Sequence, residues 1–488
     1  MITPSVREST DRTSAKTPVE TPVETREAPM LLPMSPVDSM FLLAESREHP
    51  MHVGSLQLFQ PPDGMDALDI RSMLDDAIAD DEVAPLFQKR ARRSIMSLGQ
   101  WGWETDQEFD LEHHVRRNAL PQPGRILELL ALCSRLHSSL LDRHRPLWEM
   151  HLIEGLNDGR YAMYMKVHHA LVDGVSALRM LSRMLSEDPD LRDMPAPWAP
   201  RAPTVSAEAT GAGGGPLRGL LDTASETAGL LPVLVRTISR TLNEQTGTMS
   251  FSAPKSMLNV PITGARRFAA QSWPMERVRQ VGKAAEATVN DVVLAMCSGA
   301  LRAYMLSLDA LPDSPLIAMV PVSLHAEDSG SADGGGNAVG VVMCNLGTHH
   351  GDPAQRLETI HASMAEGKES LRGMTPLQIM AMSALALSPL LLAPALGLNS
   401  MFRPPFNLVI SNVPGPRRPM YWNGARLDGL YPLSIPLDGQ ALNITCTSYS
   451  NEIAFGLTGC RRTVPHLQRL LGGLDAELAA LEQAVGVG

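Results

Sequence analysis

"RPLWEMHLIEGLNDGRYAMYMKVHHALVDGVSAL", residues 145–178, holds two alternating apolar runs, a turn between them and a histidine pair at the end. Runs over 148–156 and 161–169 read as strands, and the intervening "NDG" predicts a tight hairpin. With Asp158 and Gly159 as the central turn residues, Trp148 lies opposite His169, Met150 opposite Val167 and Leu152 opposite Met165. Cross-strand partners share a face, so this face is apolar. The other face pairs Glu149 with His168 and His151 with Lys166 and is polar or charged. A slip by one residue would mix the two sets.

Side chains alternate along a strand, which sends His168 and His169 to opposite sides of the sheet and makes a shared metal difficult. His169 ends its strand on the apolar face, where a neutral imidazole can act as a base. His168 suits a structural hydrogen bond, with a carboxylate as a fitting partner. Asp173 stands where the loop becomes a helix predicted over 175–185. It can cap that helix, pair with an arginine or hold the loop that carries His169. Gly174 permits close backbone approach. Three readings of the pair stay open at this point: a base with its support, a structural pair, or half of a metal site. No other His/Cys/Asp/Glu cluster stands at ligand spacing. G-x-S-x-G, a Walker loop and G-x-G-x-x-G are absent. Elimination therefore favours a histidine base that needs no covalent nucleophile.

The chain of 488 residues is too long for one ordinary core, so two or more lobes are expected. A net charge of −11 argues against nucleic acid as a partner. The five cysteines, Cys133, Cys297, Cys344, Cys446 and Cys460, are odd in number and widely spaced. That pattern excludes a disulfide framework or metal ribbon and fits a reducing cytosol. The first 29 residues lack an apolar signal core and contain the tandem "TPVE" at Thr17 and Thr21, so they read as a disordered tail. The uncharged stretch over 376–402 is long enough to span a bilayer, but Pro389 and Pro394 interrupt it. Two short buried or interfacial helices are the expectation, which would make any membrane contact peripheral.

Helices are predicted over 39–45, 70–79, 125–141, 217–243 and 288–306. Further strands are predicted over 53–59, 316–323, 408–411, 442–449 and 453–458, and residues 266–271 read as the start of a second lobe. "RDMPAPWAPRAPTVSAEATGAGGGP" after residue 191 reads as a linker, and "SGSADGGG" over 329–336 as a flexible loop. The expected organisation is a tail over 1–29, an N-terminal lobe over 30–191, a linker with a helix over 192–260 and a C-terminal lobe over 261–488. Both lobes are expected to be mixed α/β.

"HHALVDG" is a complete H-H-x-x-x-D-G signature. It is joined by "PVDSMFLLAESREHPMHVG", "FDLEHHVRR", "LPQPGR", "RPLWEMHLIEGL", "ATVNDVVLAMCSGALRAYM", "PLIAMVPVSL" and "NLVISNVPGPRRPMYWNGARL". Together these segments resemble the bacterial bifunctional wax ester synthase/diacylglycerol acyltransferase family over about residues 33–481. The tail and the "SADGGGN" loop depart from the pattern. The resemblance implies an α/β (α+β) fold of two chloramphenicol-acetyltransferase-like lobes, a pseudo-dimer with a tunnel between them. It implies His169 as general base, supported by His168 and Asp173. It implies substrate-binding roles for Pro146, Leu147 and Trp148 (the P-L-W motif), for Asn290 and Asp291 (the N-D motif), and for Gly174. The implied reaction moves a long-chain acyl group from acyl-CoA to a fatty alcohol or diacylglycerol without an acyl-enzyme. Acyl-CoA is then a substrate, and no cofactor or metal is expected. The implied setting is cytoplasmic, peripheral to the inner membrane or to lipid inclusions. A condensation-type enzyme using carrier-protein thioesters and a non-catalytic lipid-binding protein are the alternatives.

Overall fold

The hairpin forms with its register displaced by two residues. The computed structural model describes residues 32–79, 82–93, 100–172, 174–201, 253–323, 339–372 and 404–487. Within it Trp148 pairs with Val167, Glu149 with Lys166, Met150 with Met165 and Leu152 with Met163. The Gly159 N–H donates to the Leu156 carbonyl at 3.3 Å, which centres the turn on Asn157 and Asp158 rather than on Asp158 and Gly159. Gly159 follows with φ +81°, the left-handed position of a turn-plus-bulge loop. The side-chain period is two, so the displacement leaves every residue on its expected face. It does move Trp148 away from His169.

The first half of the chain contains β1 (Leu32–Pro33), α1 (Pro36–Ala44), β2 (His52–Gln60), α2 (Ala67–Ala79), β3 (Lys89–Arg93) and β4 (Trp101–Thr105). It continues with α3 (Leu111–His114), β5 (Val115–Ala119), α4 (Ile126–Ser138), β6 (Trp148–Glu154), β7 (Tyr161–His168) and α5 (Gly174–Arg183). The second half contains β8 (Arg266–Pro274), α6 (Met275–Ala284), α7 (Val289–Leu306), β9 (Ile317–Ser323), β10 (Val339–Asn345) and α8 (Pro353–Arg372). It closes with β11 (Leu408–Pro414), β12 (Tyr421–Trp422), β13 (Ala425–Leu433), β14 (Leu442–Tyr449), β15 (Glu452–Cys460) and α9 (Arg469–Ala484).

Two six-stranded sheets organise these elements, in the orders β12-β13-β2-β7-β6-β5 and β10-β9-β11-β14-β15-β8. The two halves exchange a strand across the expected lobe boundary at residue 261. Strand β13 leaves the C-terminal lobe and pairs antiparallel with β2, Leu433 against Gly54 and Pro432 against Ser55. The expected linker is also shorter at both ends. Met194, Ala196 and Trp198 are buried in the N-terminal core, and Leu258 is buried in the C-terminal one. Proline-rich chain needs few backbone partners, so the composition of 192–201 resembled a linker although its side chains pack.

The apolar face of β6 and β7 joins Trp148, Met150, Leu152, Met165 and Val167 to the N-terminal core. The polar face is also buried, beneath α4. Lys166 is fully buried and its ammonium lies 3.0 Å from a Glu149 carboxylate oxygen. It donates as well to the Leu136 and Ser139 carbonyls at 3.2 and 3.1 Å, at the C-terminal end of α4 where a cation complements the helix dipole. In the second lobe, α7 is apolar and long enough to cross a membrane, yet it is 72% buried and forms the core helix. The tail, the helix over 217–243, the loop over 329–336, the apolar stretch over 376–402 and Asp173 lie outside the described residues.

Candidate active site

His169 follows the last residue of β7, and its backbone N–H donates to the Met51 carbonyl at 2.8 Å. Its imidazole stacks on Phe41 of α1, centroids 4.1 Å apart and planes 21° apart. The side chain lines a cavity of about 440 Å³ between the two sheets. Val53, Met165 and Val167 from the N-terminal sheet, with Met180 and Leu181 from α5, supply one wall. Val409, Ser411 and Val413 of β11, with Asn443, Thr445 and Thr447 of β14, supply the other.

His168 points the opposite way and is fully buried. Its Nδ1 accepts from the Ala170 N–H at 3.0 Å, so the ring proton belongs on Nε2. That nitrogen lies 3.4 Å from Oε2 of Glu45, the residue just after α1. Burial pushes the Glu45 carboxyl up, but His168 and Arg143 outweigh it and hold it below the usual carboxylate value. Arg143 donates to Glu45 at 2.8 Å, and the same carboxylate accepts from the Met51 N–H at 3.4 Å. Glu45 thus anchors the strand end whose Met51 carbonyl holds His169. The two histidines occupy different environments, one facing a cavity and one an internal ion pair.

Other expected site residues are more dispersed. The Trp148 indole N–H donates to the Phe87 carbonyl at 2.7 Å, and its ring packs 4.8 Å from Phe87 and 4.7 Å from His114. Leu147 is a buried core residue whose carbonyl accepts from the His168 N–H at 2.9 Å. The Pro146 carbonyl accepts from the Trp148 N–H at 2.9 Å. The P-L-W segment therefore sets the backbone beside His168 and contributes nothing to the cavity wall. Gly174 opens α5, which carries Met180 and Leu181 into the cavity. Asp291 closes a capping box with Thr288 at the start of α7 and accepts from His361 at 2.9 Å. Neither it nor Asn290 is among the described residues lining the cavity that holds His169.

The model of the wax ester synthase/diacylglycerol acyltransferase catalytic domain matches residues 34–293, and that of the family's C-terminal domain matches residues 335–482. The chain belongs to this family. Among its relatives is a Mycobacterium bovis protein named as a diacylglycerol O-acyltransferase, 53% identical over 93% of this chain and 99% of its own. A Mycobacterium tuberculosis protein of the same designation is 52% identical over 93% of this chain and 100% of its own. The solved wax ester synthase/diacylglycerol acyltransferase of Marinobacter aquaeolei is 44% identical, covers 93% of this chain and 100% of its own, and superposes with a TM-score of 0.74. The first condensation domain of the CDA synthetase shares the fold alone, with 15% identity, 93% and 96% coverage and a TM-score of 0.57. This member of the family is an O-acyltransferase with the expected two-lobed α/β fold.

Sequence reasoning overlooked Phe41 and Glu45 in this acyltransferase. They stand one helical turn apart in "PVDSMFLLAESREHP", so both project from one side of the α1 end. That spacing was the available signal, although it does not reveal the histidines as their partners. Phe41 fixes the plane of the His169 ring and makes no polar contact of its own. Phe41→Ala is expected to lower kcat roughly tenfold to a hundredfold through misorientation of the ring. KM should change little, and steady-state thiol-release kinetics would separate the two effects.

Proposed function

We propose that this chain transfers a long-chain acyl group from acyl-CoA to diacylglycerol or a long-chain alcohol, with His169 as general base. The observation that carries this reading is the position of His169. It is the ionisable side chain among the described residues lining the cavity at the junction of the two sheets. His169 takes the proton of the acceptor hydroxyl as its oxygen attacks the thioester carbonyl. The tetrahedral oxyanion collapses, the C–S bond breaks, and the imidazolium returns the proton to the CoA thiolate. His168, Glu45 and Arg143 act through position. Acyl-CoA is consumed as a substrate, and these steps call for no cofactor. Direct attack also needs no acyl-enzyme, so both substrates must be bound together.

Purified protein supplied with palmitoyl-CoA and either dipalmitoylglycerol or hexadecanol should release one thiol per ester formed. Double-reciprocal plots against both substrates should intersect. Parallel lines, or transfer of label to the protein before acceptor is added, would exclude direct attack. Acceptors of this kind partition into lipid, and the reading includes peripheral attachment to a membrane or lipid-inclusion surface on the cytoplasmic side. Met40 and Leu43, 45% and 63% exposed on the helix that carries Phe41, supply apolar surface for it.

A further inference from the structure

The cavity beside His169 has two chemically unlike walls. Val53, Met165, Val167 and Met180 make one side apolar, whereas β14 presents Asn443, Thr445 and Thr447 at alternate positions along the other. Asn443 and Thr445 satisfy each other, the Thr445 hydroxyl donating to the Asn443 carbonyl oxygen at 2.9 Å. Two further residues of the cavity wall carry hydroxyls that do not. Ser55 is 5% exposed and Thr447 is fully buried, and neither hydroxyl has a hydrogen-bond partner among the described residues.

Sheet geometry explains both. Ser55 sits between Met165 of β7 and Pro432 of β13 in the N-terminal sheet. Thr447 sits between Val413 of β11 and Ala454 of β15 in the C-terminal one. None of these four neighbours carries a side-chain oxygen or nitrogen, so the sheets cannot satisfy either hydroxyl. Buried polar groups almost always have partners, and an exception at a cavity wall points to the molecule that fills the cavity.

We propose that Ser55 and Thr447 form a polar subsite for the ester oxygens of a diacylglycerol acceptor and select it over an unbranched alcohol. The proposal rests on the acyl-transfer reading above. A long-chain alcohol carries one oxygen, which must reach His169, and the rest of it is hydrocarbon. A diacylglycerol carries the same hydroxyl and, a few bonds behind it, ester carbonyls that accept hydrogen bonds and donate none. Ser55 pairs with Met165, four residues before His169, which sets it roughly 13 Å back along the strand. Ser55 therefore lies behind His169 along the strand, on the side to which the ester groups of an acceptor trail when its hydroxyl is at the base.

The test compares wild type, Ser55→Ala, Thr447→Val and the hydroxyl-retaining Thr447→Ser in thiol release from palmitoyl-CoA. The readout is the ratio of kcat/KM for dipalmitoylglycerol to that for hexadecanol. Ser55→Ala and Thr447→Val should each lower this ratio roughly fivefold to tenfold, and Thr447→Ser should restore it. Melting temperature should not fall, because neither hydroxyl bonds to another of the described residues. A ratio that stays at the wild-type value, whether rates with both acceptors fall together or not at all, overturns the proposal while leaving acyl transfer in place. A wild-type protein inert towards both acceptors overturns the acyl-transfer reading and this proposal with it.

Discussion

Replacing His169 with alanine should lower thiol release about 10²- to 10⁴-fold, the range that a general base contributes. The loss should appear with both acceptors, because the proton removed is the hydroxyl proton that they share. Folding should survive. The His169 ring is only partly buried, its backbone N–H still reaches Met51, and the contact with the buried Glu45 belongs to His168 on the other face of the strand. Near-wild-type rates in a folded His169→Ala protein would remove the base from the mechanism. Partial recovery with added imidazole would assign the loss to proton transfer, because a free imidazole can replace a missing base but not a missing brace. The corresponding change at His168 has a different signature. It strips a partner from the buried Glu45 and should lower melting temperature together with rate.

This contrast between neighbouring histidines was legible in the sequence, because alternation along a strand does not depend on knowing the register. The displaced turn shows the limit of that reasoning. A two-residue slip preserves faces but changes neighbours, so Trp148 was expected beside His169 and instead packs against Phe87 and His114. The N-D pair also has a local reading. Thr288 and Asp291 have capping-box spacing, and helix capping is what Asp291 does. Non-local features left less trace. The pairing of β13 with β2 joins residues more than 360 positions apart, and no local pattern encodes such a partner. The same holds for the cavity, whose polar wall comes from β14 and whose base comes from β7.

The polar face of the hairpin carries the largest stability effect. Lys166→Met keeps the length of the side chain but removes all three donors of a fully buried ammonium. The Glu149 carboxylate then loses its 3.0 Å partner, the Ser139 carbonyl loses its lysine donor, and the Leu136 carbonyl keeps only the Ser139 N–H at 3.2 Å. Breaking one side of a buried pair costs about 3–5 kcal/mol, more than most substitutions, and because His151 at 3.4 Å and Arg116 at 3.8 Å stay beside Glu149 the lower end of that range is expected. Glu149→Leu alone should cost a similar amount by stranding the lysine. The double variant should be less destabilised than the sum of the two, and denaturant titration of the four proteins measures that coupling. Acid gives an independent check. Burial raises the Glu149 carboxyl, but His151 and Lys166 outweigh it and hold it at about 2. A folded value below the unfolded one, about 4.3, means that this stability is complete above the unfolded value and is lost as pH falls towards 2. Lys166→Met should flatten that part of the acid-denaturation profile, since the carboxylate loses its nearest cation. An unaltered profile with unaltered melting would mean that the α4 carbonyls and the carboxylate are satisfied without the lysine.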